Sequence, residues 1–258
     1  PRFEKTIRSQ QDLRSIGLPD PEDALDYVMA AIRVIRKELD NRVPLIGFSG
    51  SPWTLATYMV EGGTSKQYQH IKKILYNEPK LLHELLELLS QSIIMYLNAQ
   101  IMAGVQTVMI FDTWGGILSG PAYKEFSLNY MQQIVDHIHR EYEGQTIPII
   151  IFSKGAGLWV KDIAATSCDA VGLEWTQDIG LVRQQVGNQV ALQGNMDPAV
   201  LYASESAIKN EVARILAEYG QGSGHVFNLG HGIHPGINPD NMAVLVDTVH
   251  ELSRQYHT

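Results

Sequence analysis

The chain has 258 residues, 45% of them hydrophobic and 19% charged, which is ordinary for a globular protein with its own core. Its net charge of −8 argues against a nucleic-acid partner, because binding phosphates requires clustered positive charge. No apolar run reaches the length of about 20 residues that crosses a bilayer, so we expect no membrane partner. Cys168 is the only cysteine, which excludes an internal disulfide and suits a cytoplasmic location.

Residues 1–20 are predicted to be an irregular or hairpin-like lead-in. Asp20 then caps a helix that begins at Pro21 and reaches about residue 40, with acidic residues in its first turn. After it, short apolar strands alternate with amphipathic helices. The predicted strands are 43–48, 105–111, 147–152, 170–173, 190–193 and 225–228. The predicted helices are 66–75, 79–97, 121–143, 158–166, 179–186, 207–219 and 239–256.

These elements form six strand-then-helix units with no antiparallel hairpin between them. The strands are continuously apolar, as expected of parallel strands with both faces buried. Six units fit an open doubly wound sheet or most of a (β/α)8 barrel. Polar residues recur at every strand end, and no dinucleotide glycine fingerprint follows the first strand, which favours the barrel. We therefore predict an α/β fold, a single TIM-barrel domain over 1–258 of which this chain supplies about six βα units.

One stretch joins the first predicted strand to a helix through small residues and a proline. It reads Gly47-Phe48-Ser49-Gly50-Ser51-Pro52-Trp53-Thr54-Leu55-Ala56-Thr57-Tyr58-Met59-Val60-Glu61-Gly62-Gly63. In parallel α/β folds ligands bind at the carboxyl ends of strands, so this stretch is a candidate for chemistry. Its aromatic residues either face a ligand or pack the helix onto the sheet.

The other predicted strand ends carry polar and aromatic side chains with two possible roles each. Asp112, Glu174 and Asp197 are candidate site residues, or serve only as helix caps or as partners of a nearby cation. Lys154 attracts an anionic substrate or pairs with one of these acids. The full set of predicted strand-end residues is Phe48, Tyr58, Phe111, Asp112, Thr113, Lys154, Glu174, Trp175, Gln193, Asn195, Asp197 and His231.

His231 lies between Gly230 and Gly232 at the end of the last predicted strand. Flanking glycines let the backbone approach a ligand closely while the imidazole projects from the strand end. Such a histidine donates a hydrogen bond or moves a proton, or it only caps the next helix. His225, His231 and His234 lack the i, i+4 spacing or carboxylate partner of a zinc motif, so we expect no metal.

Four motifs, in order at the strand ends, resemble those of the uroporphyrinogen decarboxylase family in its bacterial form. The stretch from Gly47 to Gly62 fits the family's second signature at every position. The other three motifs are Phe111-Asp112-Thr113-Trp114-Gly115-Gly116, Leu192-Gln193-Gly194-Asn195-Met196-Asp197-Pro198 and Asn228-Leu229-Gly230-His231-Gly232.

The resemblance implies a (β/α)8 barrel, usually a homodimer, that acts without metal or organic cofactor. It implies a substrate, uroporphyrinogen, with four acetate and four propionate side chains, and a reaction that converts the acetates to methyls and gives coproporphyrinogen in haem biosynthesis. By motif, Tyr58 resembles the tyrosine that hydrogen-bonds substrate near a reacting acetate. Thr113 takes the substrate-contacting Ser/Thr position, and His231 resembles a histidine that contacts substrate through a propionate or a pyrrole. The resemblance thus implies Tyr58 and His231 as the candidate catalytic residues. Phe48 and Phe111 resemble apolar walls against the macrocycle.

The family's first signature, with its carboxylate-binding arginines, is absent from this sequence, as is the strand with the aspartate that receives the pyrrole N–H groups. We expect both to precede Pro1, and we expect residues 1–258 alone to be inactive and to expose unpaired strand edges. Two alternatives stay open: a tetrapyrrole-binding barrel without catalysis, and a related zinc-dependent barrel methyltransferase. The second needs a His-x-Cys type site, which Cys168 does not provide.

Overall fold

The structure is a computed structural model that describes residue 3 and residues 5–256. The chain up to Ser153 forms one compact unit, and the chain from Lys154 onward forms another. In each unit parallel strands alternate with helices, which confirms the predicted α/β class. The single domain over 1–258 stays a prediction. Within the described residues, no helix is both long and apolar enough to span a membrane.

In chain order the first unit comprises α1 (Gln10–Arg14), α2 (Pro21–Ala24), α3 (Asp26–Leu39), β1 (Ile46–Gly50), α4 (Pro52–Glu61), α5 (Gln69–Asn77), α6 (Pro79–Met102), β2 (Thr107–Asp112), α7 (Gly120–Tyr123), a π-helical turn (Lys124–Leu128), α8 (Asn129–His137), β3 (Glu141–Tyr142), β4 (Gln145–Thr146) and β5 (Ile149–Ser153). A short 3-10 helix, Gly115–Ile117, follows β2. The helix from α7 to α8 is continuous through the π turn, so one run of backbone changes its hydrogen-bond register in the middle.

The sheet of this unit is parallel, with β2 paired on both sides by β1 and β5. Gly50 is in register with Phe111, and Phe111 with Phe152. The pairing continues one residue past β1, where the Ser51 amide donates to the Phe111 carbonyl at 2.8 Å. Parallel pairing therefore brings the three carboxyl ends to one edge, followed on β1 at once by the start of α4.

Local sequence explains where α4 begins and ends. Ser51 is its N-cap, with Oγ accepting from the Thr54 amide at 3.0 Å, and Pro52 takes the first helical position. Gly62 ends the helix at a positive φ of 87°, which glycine adopts without steric cost. These two caps fix which residues of the stretch lie on the helix, and Thr54 and Tyr58 fall one turn apart on the same face.

Three boundaries in the first unit differ from prediction. The lead-in 1–20 is not wholly irregular, because Ser9 caps α1; residues 1, 2 and 4 lie outside the described residues. Asp20 caps α2 as predicted, but the helix breaks at Leu25 before α3 begins. Strand β1 begins at Ile46 rather than residue 43, since Pro44 has no N–H to give to a ladder.

The predicted absence of a hairpin is wrong. Strands β3 and β4 pair antiparallel. Strand β3 lies within the range predicted as helix 121–143, whereas the helix of the structure ends at His137. Glu143 and Gly144 connect them, with φ values of 48° and 72°. Two consecutive positive φ angles in a two-residue loop match the twist of a hairpin, so this dipeptide reverses the chain.

In chain order the second unit comprises a 3-10 helix (Gly157–Trp159), α9 (Val160–Ala164), β6 (Ala170–Gly172), α10 (Ile179–Val186), β7 (Ala191–Met196), a 3-10 helix (Pro198–Tyr202), α11 (Glu205–Tyr219), β8 (His225–Leu229), α12 (Pro239–Leu252) and a 3-10 helix (Ser253–Gln255). Its sheet is parallel, with β7 paired by β6 and β8. The bounds of α10 are those predicted, because Asp178 caps its start and Gly187 follows its end.

The prediction that every strand is buried on both faces is wrong for β1 and β8. In β1, Ile46 and Phe48 are 41% and 60% exposed, and Val226 of β8 is 47% exposed. Side chains alternate between faces along a strand, and in both strands alternate residues are exposed. One face of β1 and one of β8 therefore lack cover in the described part of the chain.

Candidate active site

Asp112 ends β2 and is fully buried among four hydroxyl groups. Ser51 and Thr54 donate to its Oδ1 at 2.8 and 3.2 Å, and Ser127 and Ser153 donate to its Oδ2 at 2.8 Å each. Burial raises the pKa of Asp112, and the hydroxyl bonds oppose that rise. The predicted roles of helix cap and cation partner are both wrong, because all these bonds come from side-chain hydroxyls.

Trp114, two residues past Asp112, is tied to α4 through both of its backbone polar groups. Its amide donates to Thr54 Oγ1 at 3.4 Å, and its carbonyl accepts from Trp53 Nε1 at 2.9 Å. Its ring lies 6.0 Å from that of Tyr58 and 5.2 Å from that of Tyr68. Trp53 is wholly buried and so packs α4 onto the strand end, as the alternative for that residue held.

Tyr58 and Thr113 are both partly exposed in this region. The Tyr58 hydroxyl makes no hydrogen bond to another described residue of the first unit. The Tyr58 ring lies edge-on against the Trp114 ring. Thr113 is fixed by its neighbours, since Asp112 is clamped on one side and Trp114 on the other. Both side chains therefore offer hydroxyls on a backbone that is rigidly placed.

Three phenylalanines form a row across the strand ends of the first unit. Phe48 meets Phe111 edge-on at 5.8 Å, and Phe111 meets Phe152 at 5.9 Å. Phe48 is the exposed member of the row, whereas Phe152 is buried. Phe48 and, in part, Phe111 therefore expose an apolar surface. Phe152 escaped prediction, although its register opposite Phe111 was implied by aligning the strand ends.

In the second unit, Lys154, Trp175 and His231 lie together. Lys154 Nζ lies 5.8 Å from the centre of the Trp175 ring, and the Trp175 and His231 rings lie 6.1 Å apart. Lys154 makes no ion pair with an acid among the described residues; it contacts the indole face of Trp175 instead. Of the two predicted roles for Lys154, ion pairing is therefore wrong, and attraction of an anion stays a prediction.

His231 does not cap the helix that follows it. Asn238 caps α12, and His231 Nδ1 instead accepts from the Gly232 amide at 2.7 Å. In the neutral imidazole this leaves the proton on Nε2. Partial burial lowers the pKa of His231, and the charges of Lys154 and His234 lower it further, against an opposing effect of Glu174.

The other polar residues predicted at these strand ends mostly bind the protein itself. Glu174 is buried and accepts from the Gly155 amide at 2.7 Å. Asn195 donates to the carbonyls of Glu174 and Gln177 at 3.0 and 2.6 Å, tying β7 to the loop after β6. Asp197 caps the 3-10 helix that follows it. Gln193 is buried, and its Oε1 has no hydrogen-bond partner among the described residues.

The histidines weighed as metal ligands are occupied in other ways. His225 stacks on Tyr219 at 4.3 Å, and its Nε2 lies 3.0 Å from the Gly194 carbonyl oxygen. His234 lies 5.8 Å from the ring of Tyr202. Over the described ranges no three side chains of His, Cys, Asp or Glu come close enough together to hold a metal ion.

Known proteins similar to this chain place it in a family. A model described as "Uroporphyrinogen decarboxylase (URO-D)" matches residues 1–252. A uroporphyrinogen decarboxylase of Nitrosococcus oceani is 58% identical over 258 residues, covering 100% of this chain and 72% of that protein. One from Aeromonas salmonicida is 59% identical over 257 residues, with the same coverage. The chain belongs to the uroporphyrinogen decarboxylase family.

Two solved structures share the fold with this member of the uroporphyrinogen decarboxylase family. A methyltransferase from Methanosarcina mazei has a TM-score of 0.79 and 21% identity, covering 97% of this chain and 70% of that one. A B12-independent methionine synthase from Shewanella has a TM-score of 0.56 and 11% identity, covering 88% and 65%. At these identities the likeness concerns the fold alone, and it agrees with the predicted TIM-barrel type.

Two residues of this uroporphyrinogen decarboxylase family member were missed because no local pattern marks them. Ser127 reaches Asp112 only because the π turn directs its hydroxyl inward. Ser153 follows the predicted strand 147–152, yet in the structure it ends β5 and is in register with Asp112 of β2. Aligning strand ends reveals Ser153, whereas nothing in the sequence signals the π turn.

The surroundings of His231 give a titration prediction. We expect the pKa of His231 to lie below the ordinary value of a histidine, because partial burial and the nearby positive charges disfavour the imidazolium. Lys154→Met removes a positive charge and should raise the pKa of His231, whereas Glu174→Gln removes a negative charge and should lower it. The measurement is an NMR titration of the His231 ring. Equal values in all three proteins would contradict the placement of these charges.

Proposed function

We propose that this chain carries the decarboxylating and substrate-binding residues of a uroporphyrinogen decarboxylase, converting uroporphyrinogen to coproporphyrinogen in porphyrin biosynthesis. The observation that carries the proposal is the family match over residues 1–252, with identities of 58% and 59% to relatives named for this activity. Three positions support it: Tyr58 on the helix that follows β1, Thr113 directly after β2, and His231 just after β8.

The reaction needs no group beyond a proton donor and a shaped, charged site. A proton added to a pyrrole carbon makes a cationic, imine-like ring. The bond between the acetate methylene and its carboxylate then breaks, carbon dioxide leaves, and its electron pair neutralises the ring. A proton added to the resulting exocyclic methylene makes the methyl group, and loss of the ring proton restores the pyrrole. The protein must therefore hold the macrocycle and stabilise the cation.

In the first unit we assign the substrate contacts to Tyr58, Thr113 and the phenylalanine row. The Tyr58 hydroxyl, which has no protein partner among the described residues, donates to the carboxylate of a reacting acetate. The Thr113 hydroxyl makes a second polar contact. Phe48 and Phe111 lie against the apolar face of the macrocycle, because Phe48 presents most of its ring to solvent.

In the second unit we assign carboxylate binding to Lys154 and His231. Lys154 carries a charge that no described acid neutralises, and neutral His231 carries its proton on Nε2, because Nδ1 accepts from the Gly232 amide. A substrate with eight carboxylates needs such partners even on a protein of net charge −8, since a local pocket keeps its own potential. His231 is a hydrogen-bond donor in this assignment, and its lowered pKa suits that role at neutral pH.

We also propose that the protein acts in the cytoplasm as a homodimer. The family resemblance supports the dimer, and the single cysteine suits a reducing compartment. Sedimentation of the complete gene product tests the dimer; a monomer at assay concentration would contradict it.

An anaerobic assay tests the activity. The complete gene product, without added metal or cofactor, should release four carbon dioxide molecules per uroporphyrinogen and form coproporphyrinogen. Tetrapyrrole binding without carbon dioxide release would contradict the proposal and favour a binding protein. Methyl transfer to a thiol that depends on added zinc would favour the methyltransferase alternative.

Tyr58→Phe tests the central assignment. Loss of a hydroxyl that stabilises charge at the reacting acetate should lower kcat on the order of 100-fold, because such a donor acts mainly in the transition state. The matched control is Tyr76→Phe, since Tyr76 is 71% exposed on α5 and removing its hydroxyl should leave kcat unchanged. A Tyr58→Phe protein with normal kcat would remove Tyr58 from the mechanism.

A further inference from the structure

The hydroxyl of Thr54 links three parts of the first unit. It donates to Asp112 Oδ1 at 3.2 Å and accepts from the Trp114 amide at 3.4 Å. Thr54 itself lies on α4 and is 3% exposed. One side-chain oxygen therefore connects the end of β2, the turn after it, and the helix that carries Tyr58.

Asp112 holds the other end of this link firmly. Its Oδ1 also accepts from Ser51, the N-cap of α4, so one carboxylate oxygen binds the first turn of the helix at two points. Its Oδ2 is fixed by hydroxyls from the π turn and from β5. The carboxylate is fully buried and cannot touch a substrate, so its hydrogen bonds hold neighbouring elements in position.

The residues placed by this link are those assigned to the substrate. Tyr58 follows Thr54 by one helical turn on the same face, and its ring rests edge-on against the Trp114 ring. Thr113 lies between Asp112 and Trp114 in the chain. A shift of α4 against the end of β2 would therefore change the position of the Tyr58 hydroxyl relative to that of Thr113.

We propose that Thr54, held by Asp112, is a positioning residue that sets the separation of the Tyr58 and Thr113 hydroxyls for decarboxylation. The proposal rests on the proposed function for its kinetic consequence, but the structural link stands without it. Misplacing a reacting group by a fraction of its contact distance lowers the chemical step more than binding. Loss of the Thr54 hydroxyl should therefore lower kcat and leave KM nearly unchanged.

The test compares three variants of the complete gene product. Thr54→Val removes the hydroxyl and keeps the shape, and it should lower kcat on the order of 10-fold. Thr54→Ser keeps the hydroxyl and should restore most of kcat. Thr57→Val is the matched control, because Thr57 is equally buried on α4 but its hydroxyl bonds only to the Trp53 carbonyl, at 2.8 Å. It should lose stability but keep kcat.

A second readout does not depend on activity. Hydrogen exchange of the peptide 112–116 should rise in Thr54→Val, which loses the acceptor for the Trp114 amide, and should stay at its wild-type rate in Thr57→Val. Equal effects of the two valine variants on kcat or on exchange would overturn the proposal. A wild-type protein that does not decarboxylate uroporphyrinogen would defeat the proposed function, and exchange would still decide whether the link exists.

Discussion

Gly230→Ala should destabilise the protein severely. A Cβ at this position would overlap the backbone nitrogen of Trp175 and lie 2.9 Å from the carbonyl carbon of Glu174. Backbone atoms cannot move aside as a flexible side chain can, so we expect a loss of about 3 kcal/mol or more in the free energy of unfolding. Urea denaturation of the complete gene product measures it.

The neighbouring Gly232→Ala is the control for this prediction. A Cβ at Gly232 would meet no atom within 4 Å, so the change in the free energy of unfolding should stay within about 0.5 kcal/mol. We had predicted that both glycines admit a ligand to the backbone. In the structure the backbone at Glu174 and Trp175 packs closely against Gly230, whereas Gly232 borders open space. Equal stability of the two variants would contradict the packing of β8 against the loop after β6.

Gly115→Ala should have an effect of similar size in the first unit. A Cβ there would overlap Asp112 Oδ2 and Ser153 Oγ and lie 2.9 Å from the Tyr123 ring. The added methyl would break a buried charge-assisted hydrogen bond as well as overpack the site, so we expect a loss of about 3 kcal/mol or more. The expected result is a large fall in the urea midpoint and in the recovery of folded protein.

Gly17→Ala provides the comparison for Gly115. Its Cβ would have no neighbour within 4 Å, so the variant should unfold at the wild-type urea concentration. A Gly115→Ala protein as stable as Gly17→Ala would show that the Asp112 cluster is looser than the four hydroxyl bonds indicate.

The order of the elements was predictable because each is set by residues next to it in the chain. Asp178 and Gly187 bracket α10 on the bounds predicted for it, and Asp20 caps α2. Errors arose where a short local signal was overlooked. Pro44 delays β1, and the Glu143-Gly144 turn replaces the end of a predicted helix with a hairpin.

The sequence predicts which polar residues lie near the strand ends, but not which of them bind the protein itself. Some of these side chains hydrogen-bond to other groups of the protein, namely those of Asp112, Asn195 and Asp197. By contrast, no hydrogen bond or ion pair joins Lys154 or the Tyr58 hydroxyl to another described residue. Local sequence cannot separate polar side chains that bind the protein from those that stay unbonded. Two partners of Asp112, Ser153 and Ser51, lie 41 and 61 residues away from it in the chain. Only the meeting of several strand ends decides which polar side chain remains available.

The π turn at Lys124–Leu128 constrains how the length of this protein can change during evolution. Phe126 stacks on His83 at 4.6 Å, while the next residue, Ser127, donates to Asp112. Deleting one residue there would rotate everything after it by about 100°, taking the buried face of α8 away from the core. Insertions and deletions should therefore be rarer in this turn than in the two-residue loop between β3 and β4, which tolerates extra residues at low entropic cost.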